Sequence, residues 1–175
     1  MLFQNGRLKV RELEKEDNVL LAKWLSDPLV LEFYEGRDNP FDLEKVNKVF
    51  YDPKDETVKC IVEYEGKEIG YIQFYQLDDE TKKEYGYSAG NVYGTDQFIG
   101  EIEYWNRGIG TLLVTSMIQF LMEHKNANRI VMDPQTRNTR AIKCYEKCGF
   151  KKVKMLPGRE LHEGEYRDCW LIEYP

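Results

Sequence analysis

The sequence is short of the residues that carry the commonest metal and hydrolytic chemistries. Among its 175 residues there are two histidines and four cysteines. His124 and His162 each stand alone, which argues against a histidine-centred catalytic triad. Cys60, Cys144, Cys148 and Cys169 form no CxxC pair, and a chain of this length buries a core without bridges, so reduced thiols are expected. Cys144 and Cys148 share a helix face, but no histidine pair lies near to complete a site; packing is the simpler reading and no metal is expected. No run approaches the roughly 18 apolar residues of a membrane span. Charges occupy the opening "MLFQNGRLKVRELEKED", where a signal peptide needs an apolar stretch, so a cytoplasmic protein with no membrane partner is expected. Internal repeats and low-complexity linkers are lacking too, and the length suits a single domain over residues 1–175.

Positive charge is also in deficit. Lys and Arg number 25 against 31 Asp and Glu, a net charge of -6. Nucleic-acid binding needs clustered Lys and Arg, so no nucleic-acid partner is expected. An acidic chain suits a cationic partner, although an excess this small also serves solubility.

What is present is a steady alternation of strand and helix patterns. "GRLKVREL" alternates as a strand, and "EDNVLLAKWLSDP" sets Leu20, Leu21, Trp24 and Leu25 at helical spacing before Pro28. "LVLEFYEGRDNP" looks like a loop with aromatics. "FDLEKVNKVFYDP" predicts a helix with Asp42 as its N-cap and Pro53 beyond its end. "TVKCIVEYEGKEIGYIQFYQL" is a hairpin joined at "EGKE", and "KKEYGYSAGN" a polar connection. "VYGTDQFIGE" is a strand with Gly94 inside it, where a bulge or a close backbone approach is expected. Ile109, Leu112, Leu113, Met117, Phe120 and Leu121 form one face of a helix. "NRIVMDP" is a buried strand stopped by Pro134. "NTRAIKCYEKCGF" is a helix with Ala141, Cys144, Tyr145 and Cys148 on one face and Gly149 at its C-terminal cap. "KKVKML" and "YRDCWLIEY" close the chain as strands. Together these patterns predict an α+β, or mixed α/β, class.

"EYWNRGIGTLLVTSMIQFL" places Gly108 and Gly110 at the start of a helix, although glycine favours a helix interior least of the ordinary residues. The first amides of a helix have no intrahelical partner, and with the positive end of the helix dipole they bind an anion. Close packing explains a GxG before a helix equally simply. The stretch is not a P-loop, since no Gly-Lys-Ser/Thr follows, and it lacks the third glycine of a dinucleotide fingerprint.

"NRGIGTLLV", followed by "NTRAIKCYEKCGF", resembles the acyl-coenzyme A binding core of the GNAT superfamily of N-acetyltransferases. More narrowly, "VYGTDQFIGE", "YWNRGIGT", "MDPQTRNTRAIKCYEKCGF" and "LHEGEYRDCWLIEY", taken in order, are similar to aminoglycoside 6′-N-acetyltransferases. The resemblance implies a central, mostly antiparallel twisted sheet flanked by helices, acetyl-coenzyme A as cosubstrate, and a small cationic amine as acceptor. It assigns the coenzyme to Phe98, Ile99, Trp105, Arg107, Gly108, Ile109, Gly110, Thr111, Asn138 and Ala141. Trp105 departs from the broad superfamily, where many members carry Arg or Gln three residues before the first glycine. The resemblance further implies Tyr93, Asp96 and Asp133 as acceptor-binding residues, with Asp96 and Tyr145 as the catalytic pair.

Each assignment has a plainer alternative. Asn138 is also a natural helix N-cap, Tyr145 and Tyr93 are also ordinary packing aromatics, and Asp133 before Pro134 is also turn chemistry. Asp96 lies mid-strand, where aspartate is disfavoured and a half-buried carboxylate needs a charged or hydrogen-bonded partner; an arginine pair would satisfy it as well as an ammonium substrate. Glu101, Glu103, Glu163 and Asp168 add to the negative charge of these segments. For function, an acetyltransferase acting on another amine, such as a polyamine, a protein N-terminus or a siderophore precursor, and a non-catalytic acyl-coenzyme A sensor stay open.

Overall fold

The computed structural model describes all of residues 1–175. Its strands are β1 (Phe3–Asn5), β2 (Leu8–Glu12), β3 (Val58–Tyr64), β4 (Lys67–Gln76), β5 (Val92–Ile99), β6 (Arg129–Met132), β7 (Lys151–His162) and β8 (Glu165–Tyr174). Its helices are α1 (Asn18–Trp24), α2 (Pro28–Leu31), α3 (Leu43–Phe50), α4 (Asp79–Tyr85), α5 (Ile109–His124) and α6 (Thr139–Lys147). The strands form one sheet in the order β1-β2-β3-β4-β5-β6-β8-β7. The pairings β1–β2, β2–β3 and β6–β8 are antiparallel and β5–β6 is parallel, which gives the mixed α/β class anticipated above.

Two compact units divide the chain. The first comprises Met1–Gln73, Gln97–Arg107 and His162–Gly164. Its core is built from Leu21, Trp24 and Leu25 of the α1 segment, Phe41, Val46 and Phe50 around α3, and Ile61 and Tyr71 from the sheet. The expected caps are present: the Asp42 side chain accepts the Lys45 amide at 2.8 Å and starts α3. The β3–β4 hairpin turns through Glu65 (φ 50°) and Gly66 (φ 81°), both left-handed, as a tight two-residue loop requires.

The second unit comprises Phe74–Asp96, Gly108–Leu161 and Glu165–Pro175. Leu77, Tyr85, Val92, Val131, Leu156 and Leu171 pack as one of its clusters. In α5 the buried face includes Val114 and Ile118 as well as Ile109, Leu113, Met117 and Leu121, while Leu112 and Phe120 are only half-buried. The expected glycine at the end of α6 closes a full Schellman motif. Gly149 (φ 105°) donates to Glu146 at 3.0 Å and Phe150 donates to Tyr145 at 3.1 Å. The Phe150 ring then packs edge-on to Tyr145 at 6.3 Å, the apolar contact that accompanies such caps.

Three segments differ from the sequence reading. The aromatic "loop" after Pro28 begins with a short helix, because Asp27 accepts the Leu29 amide at 3.0 Å and Pro28 stands at the first helical position, where its missing N–H costs nothing. The connection after β4 contains α4, capped by Asp78 onto Thr81 at 2.7 Å and ended by left-handed Gly86. Strand β7 runs on through Pro157 and Gly158, which its place at the end of the sheet permits, since an edge strand needs no second set of ladder donors.

Gly94 is a close backbone approach. A Cβ there would lie 2.5 Å from the Tyr75 ring, so the aromatic side chain of β4 lies directly over the backbone of β5. Gly94→Ala is expected to destabilise the protein by about 1–3 kcal/mol, the usual cost of overpacking, as read from the urea midpoint at constant m-value. An unchanged midpoint would show that the ring moves aside at no cost.

Candidate active site

The parallel register of β5 and β6 pairs Val92 with Arg129, Tyr93 with Ile130 and Gly94 with Val131, and there the pairing stops. The strands therefore part just before Asp96 on one and Asp133 on the other. Alternation puts Asp96 on the same face of β5 as Gly94, so it follows the Tyr75 ring, and the Tyr75 phenol hydrogen-bonds to Asp96. Burial first, and then the charges of Asp96 and Asp133, push that phenol well above its usual range, so it stays a proton donor.

Asp133 ends the run of β6. Its carboxylate accepts from the Tyr85 hydroxyl at 3.4 Å and lies 3.7 Å from Arg159 Nε. Burial first, then the negative charge of Asp96, push Asp133 up to about 6, with Arg159 opposing and Glu160 adding to the rise. Glu160 itself accepts from Gln135 at 2.6 Å. Three acidic side chains, Asp96, Asp133 and Glu160, thus converge in the second unit with Arg159 as the cation beside them. Such an arrangement favours binding of an added cation, because each carboxylate raises the cost of charging the next.

Tyr75, Tyr85, Arg159 and Glu160 belong to this cluster and were missed by the sequence reading. Gly94 was the one available signal, since a glycine inside a strand announces that something large lies over it. The acidic residues Glu101, Glu103, Glu163 and Asp168 are engaged elsewhere. Glu101 is buried and accepts from Trp24 Nε1 at 2.5 Å and Lys23 at 3.0 Å; burial opposes its charge, but those hydrogen bonds prevail and hold it low. Glu103 meets Lys67 at 3.4 Å, and Asp168 accepts the Gly158 amide at 2.9 Å. Glu163 is clamped by Arg37 at 2.6 and 2.7 Å, which holds it at about 2.

At the start of α5, Gly108 adopts φ 76°, a left-handed conformation that glycine takes without strain, and no side chain caps the helix. The first intrahelical bond runs from Leu112 N–H to Gly108 O, so the amides of Ile109, Gly110 and Thr111 precede the ladder. A Cβ on Gly108 would meet nothing within 4 Å, whereas one on Gly110 would touch Cys144 Sγ at 3.6 Å, an ordinary contact. The two glycines therefore differ: Gly108 is required by backbone conformation, and Gly110, whose amide precedes the ladder, turns its bare face to α6. Thr111 Oγ1 lies 3.5 Å from Cys144 Sγ and Thr115 Oγ1 donates to Cys148 Sγ at 3.6 Å, so both cysteines pack α6 against α5. No group of three His, Cys, Asp or Glu side chains is arranged to hold a metal ion.

The remaining sequence-predicted residues fall as follows. Asn138 occupies the N-cap position of α6, but its side chain accepts no cap hydrogen bond. Ala141 and Tyr145 are half-buried on the same helix, where Ile142 supplies the buried apolar contact. Tyr93 is half-buried with its ring 6.2 Å from Phe74. In the first unit, the half-buried Phe98 ring is packed against Tyr34 at 4.7 Å and stacked on Tyr71 at 5.6 Å. Trp105 Nε1 donates to the Ile99 carbonyl at 2.8 Å, and Arg107 is exposed, its guanidinium 5.0 Å from the Tyr104 ring.

A helix start with unladdered amides suits an anionic ligand, and a strand-end acidic cluster suits a cationic one. The family model described as an acetyltransferase (GNAT) domain matches residues 14–157, and the chain belongs to that family: it is an acetyl-coenzyme A-dependent N-acetyltransferase. It is 26% identical over 159 residues to aminoglycoside N(6′)-acetyltransferase type 1 of Klebsiella pneumoniae, covering 85% of this chain and 76% of that protein. Its fold matches aminoglycoside acetyltransferase AAC(6′)-Ib in complex with coenzyme A and kanamycin, with a TM-score of 0.74, 24% identity, and coverage of 95% and 94% of the two chains. It also matches spermidine N-acetyltransferase from Vibrio cholerae in complex with coenzyme A and spermine, with a TM-score of 0.79, 16% identity, and coverage of 97% and 96%.

The raised Asp133 gives a pH signature of stability. A carboxyl whose folded value (about 6) lies above the unfolded value of 3.8 contributes stability below the lower figure and loses it as pH rises through the upper one. Asp133→Asn removes that loss. The variant is expected to gain on the parent in melting temperature by about 2–4 °C between pH 4 and pH 7.5, after discounting for the partial exposure of the carboxylate. A pH-independent difference would show that Asp133 is not held above its ordinary range.

Proposed function

We propose that this acetyltransferase modifies the 6′-amine of aminoglycoside antibiotics, acting as one domain over residues 1–175. The observation that carries the reading is the convergence of Asp96 and Asp133 where β5 and β6 part, next to Glu160 and with Arg159 beside Asp133. An aminoglycoside brings several ammonium groups to such a cluster. The sequence relationship to an aminoglycoside N(6′)-acetyltransferase over 85% of the chain supports the same class of acceptor.

In this reading the amides of Ile109, Gly110 and Thr111, with the exposed Arg107, hold the coenzyme diphosphate, and Asn138 and Ala141 contact the coenzyme from α6. Asp96 and Asp133 bind ammonium groups; Tyr93 alternates onto the other face of β5, its ring 6.2 Å from Phe74, and is left out of the acceptor site. The reacting amine must be neutral to attack, and Asp96 takes its proton directly or through water. The new N–C bond forms at the thioester carbonyl, whose oxygen is polarised by a backbone amide near Phe98 or Ile99. The C–S bond then breaks and Tyr145 protonates the departing thiolate. Phe150, held by the Schellman cap, packs edge-on to the Tyr145 ring at 6.3 Å.

Asp96→Asn keeps the shape and removes the charge. A loss of at least about tenfold in kcat/KM for kanamycin is expected, about 1.4 kcal/mol or more of transition-state stabilisation, with coenzyme affinity unchanged. Wild-type turnover by a folded Asp96→Asn enzyme, or wild-type turnover of polyamines and not of kanamycin, would overturn the assignment.

Tyr145→Phe tests the other half. Turnover is expected to fall by about 10²-fold or more with little change in coenzyme affinity, the usual worth of general acid help. Unchanged turnover would return Tyr145 to a purely structural role.

A further inference from the structure

Arg159 is the cation beside Asp133, yet its strongest contacts are not with that carboxylate. Its guanidinium donates to Glu84 at 2.6 Å and to the Tyr85 hydroxyl at 2.9 Å, and its Cζ lies 5.4 Å from the Tyr85 ring centroid. Asp133 Oδ2 is 3.7 Å from Arg159 Nε, beyond hydrogen-bond length, and is reached instead by the Tyr85 hydroxyl at 3.4 Å. A chain of contacts thus runs from Glu84 through Arg159 and Tyr85 to Asp133. Tyr85 accepts from the guanidinium and donates its own hydroxyl hydrogen toward the carboxylate. Both ends of the guanidinium fork are committed to α4, so the charge is fixed at a set distance from Asp133 and does not fold onto it.

Such a fixed charge has two effects on any cation approaching the cluster. It neutralises part of the field of Asp133, and it repels a second ammonium on that side. We propose that Arg159 is a specificity-determining residue of the acceptor site: a guanidinium anchored by Glu84 and Tyr85 takes up one side of Asp133 and limits how many ammonium groups the cluster accepts. This rests on the reading of the Asp96–Asp133 cluster as the acceptor site. The groups acting on Asp133 come from three elements, Asp96 on β5, Tyr85 on α4, and Arg159 and Glu160 on β7, while Tyr75 on β4 and Cys169 on β8 respond to its charge.

The test compares Arg159→Gln with the wild type and with Arg159→Lys, which keeps the charge. Binding of putrescine and spermine, with two and four amino groups, to the coenzyme A complex is measured at pH 8 and low salt, and the Asp133 carboxyl is titrated by carbon NMR. In Arg159→Gln the spermine-to-putrescine affinity ratio is expected to rise at least about fivefold, a gap that narrows with salt. The Asp133 midpoint is expected to move upward in Arg159→Gln, whereas Arg159→Lys, which keeps the charge but cannot hold Glu84 and Tyr85 together, is expected to show no rise in either reading. Should Arg159→Gln fail to fold, Glu84→Gln gives the opposite sign, because a guanidinium released from α4 settles on Asp133 and lowers its midpoint. An unchanged ratio, an unmoved midpoint, or no binding of either amine overturns the proposal. Kanamycin turnover by the wild type is scored separately, so a failed aminoglycoside assignment is not mistaken for a failure of Arg159.

Discussion

The site depends on how β5 and β6 stop pairing. Parallel strands in register keep their residues level, so two aspartates standing beyond the last paired residues, Gly94 and Val131, are brought together by the ladder itself. No loop has to fold in a particular way to achieve this. What the local sequence must supply is room and donors. Gly94 supplies the room by leaving the backbone bare under the Tyr75 ring, and Tyr75 and Tyr85 supply hydroxyls that stay protonated because burial raises them. A phenol donates a hydrogen bond without cancelling a carboxylate's charge, and the Arg159 guanidinium stands 3.7 Å from Asp133.

That choice is costly in stability, and Asp133 shows where the cost lies. Burial and the neighbouring Asp96 push it to about 6, and Arg159, held at a distance by Glu84 and Tyr85, offsets only part of the rise. In the proposed reading a cation between the carboxylates relieves the same repulsion, which thereby adds to the affinity for an ammonium acceptor. The acidic residues elsewhere take no part in this, because each is already bonded: Glu101 to Trp24 and Lys23, Glu163 to Arg37, Asp168 to a backbone amide. A net charge of -6 is thus a poor guide to where the useful charge lies.

Features governed by a few neighbouring residues were legible in the sequence. The Asp42 cap, the start of α5 and the glycine after α6 were all read correctly, since capping acts within one turn of chain. The helices starting at Pro28 and Asp79 were missed, although Asp27 and Asp78 carry the same capping chemistry, because proline was read as a stop and the polar α4 lacks a clear apolar period. The long β7 was missed because Pro157 and Gly158 are strand breakers anywhere except on an edge, and edge position is a property of the sheet. The same holds at the site. Asp96 and Asp133 could be named from resemblance, but Tyr75, Tyr85, Glu160 and Arg159 reach them through packing between segments far apart in the chain.

The pairing of α5 with α6 carries this point into the chemistry proposed for the coenzyme. Glycine at position 110 was read as an opening toward a phosphate, yet its bare face meets Cys144, and Thr111 and Thr115 turn toward the two cysteines as well. The first turn of α5 is therefore packed on α6, the helix that also carries Tyr145. In the proposed reaction the amides binding the diphosphate and the phenol meeting the sulfur are parts of one packed helix pair. Their separation is set by side-chain contact and cannot relax independently at either end. Preorganisation of that kind lets a few small residues, two threonines, two cysteines and a glycine, govern the geometry of a reaction none of them performs.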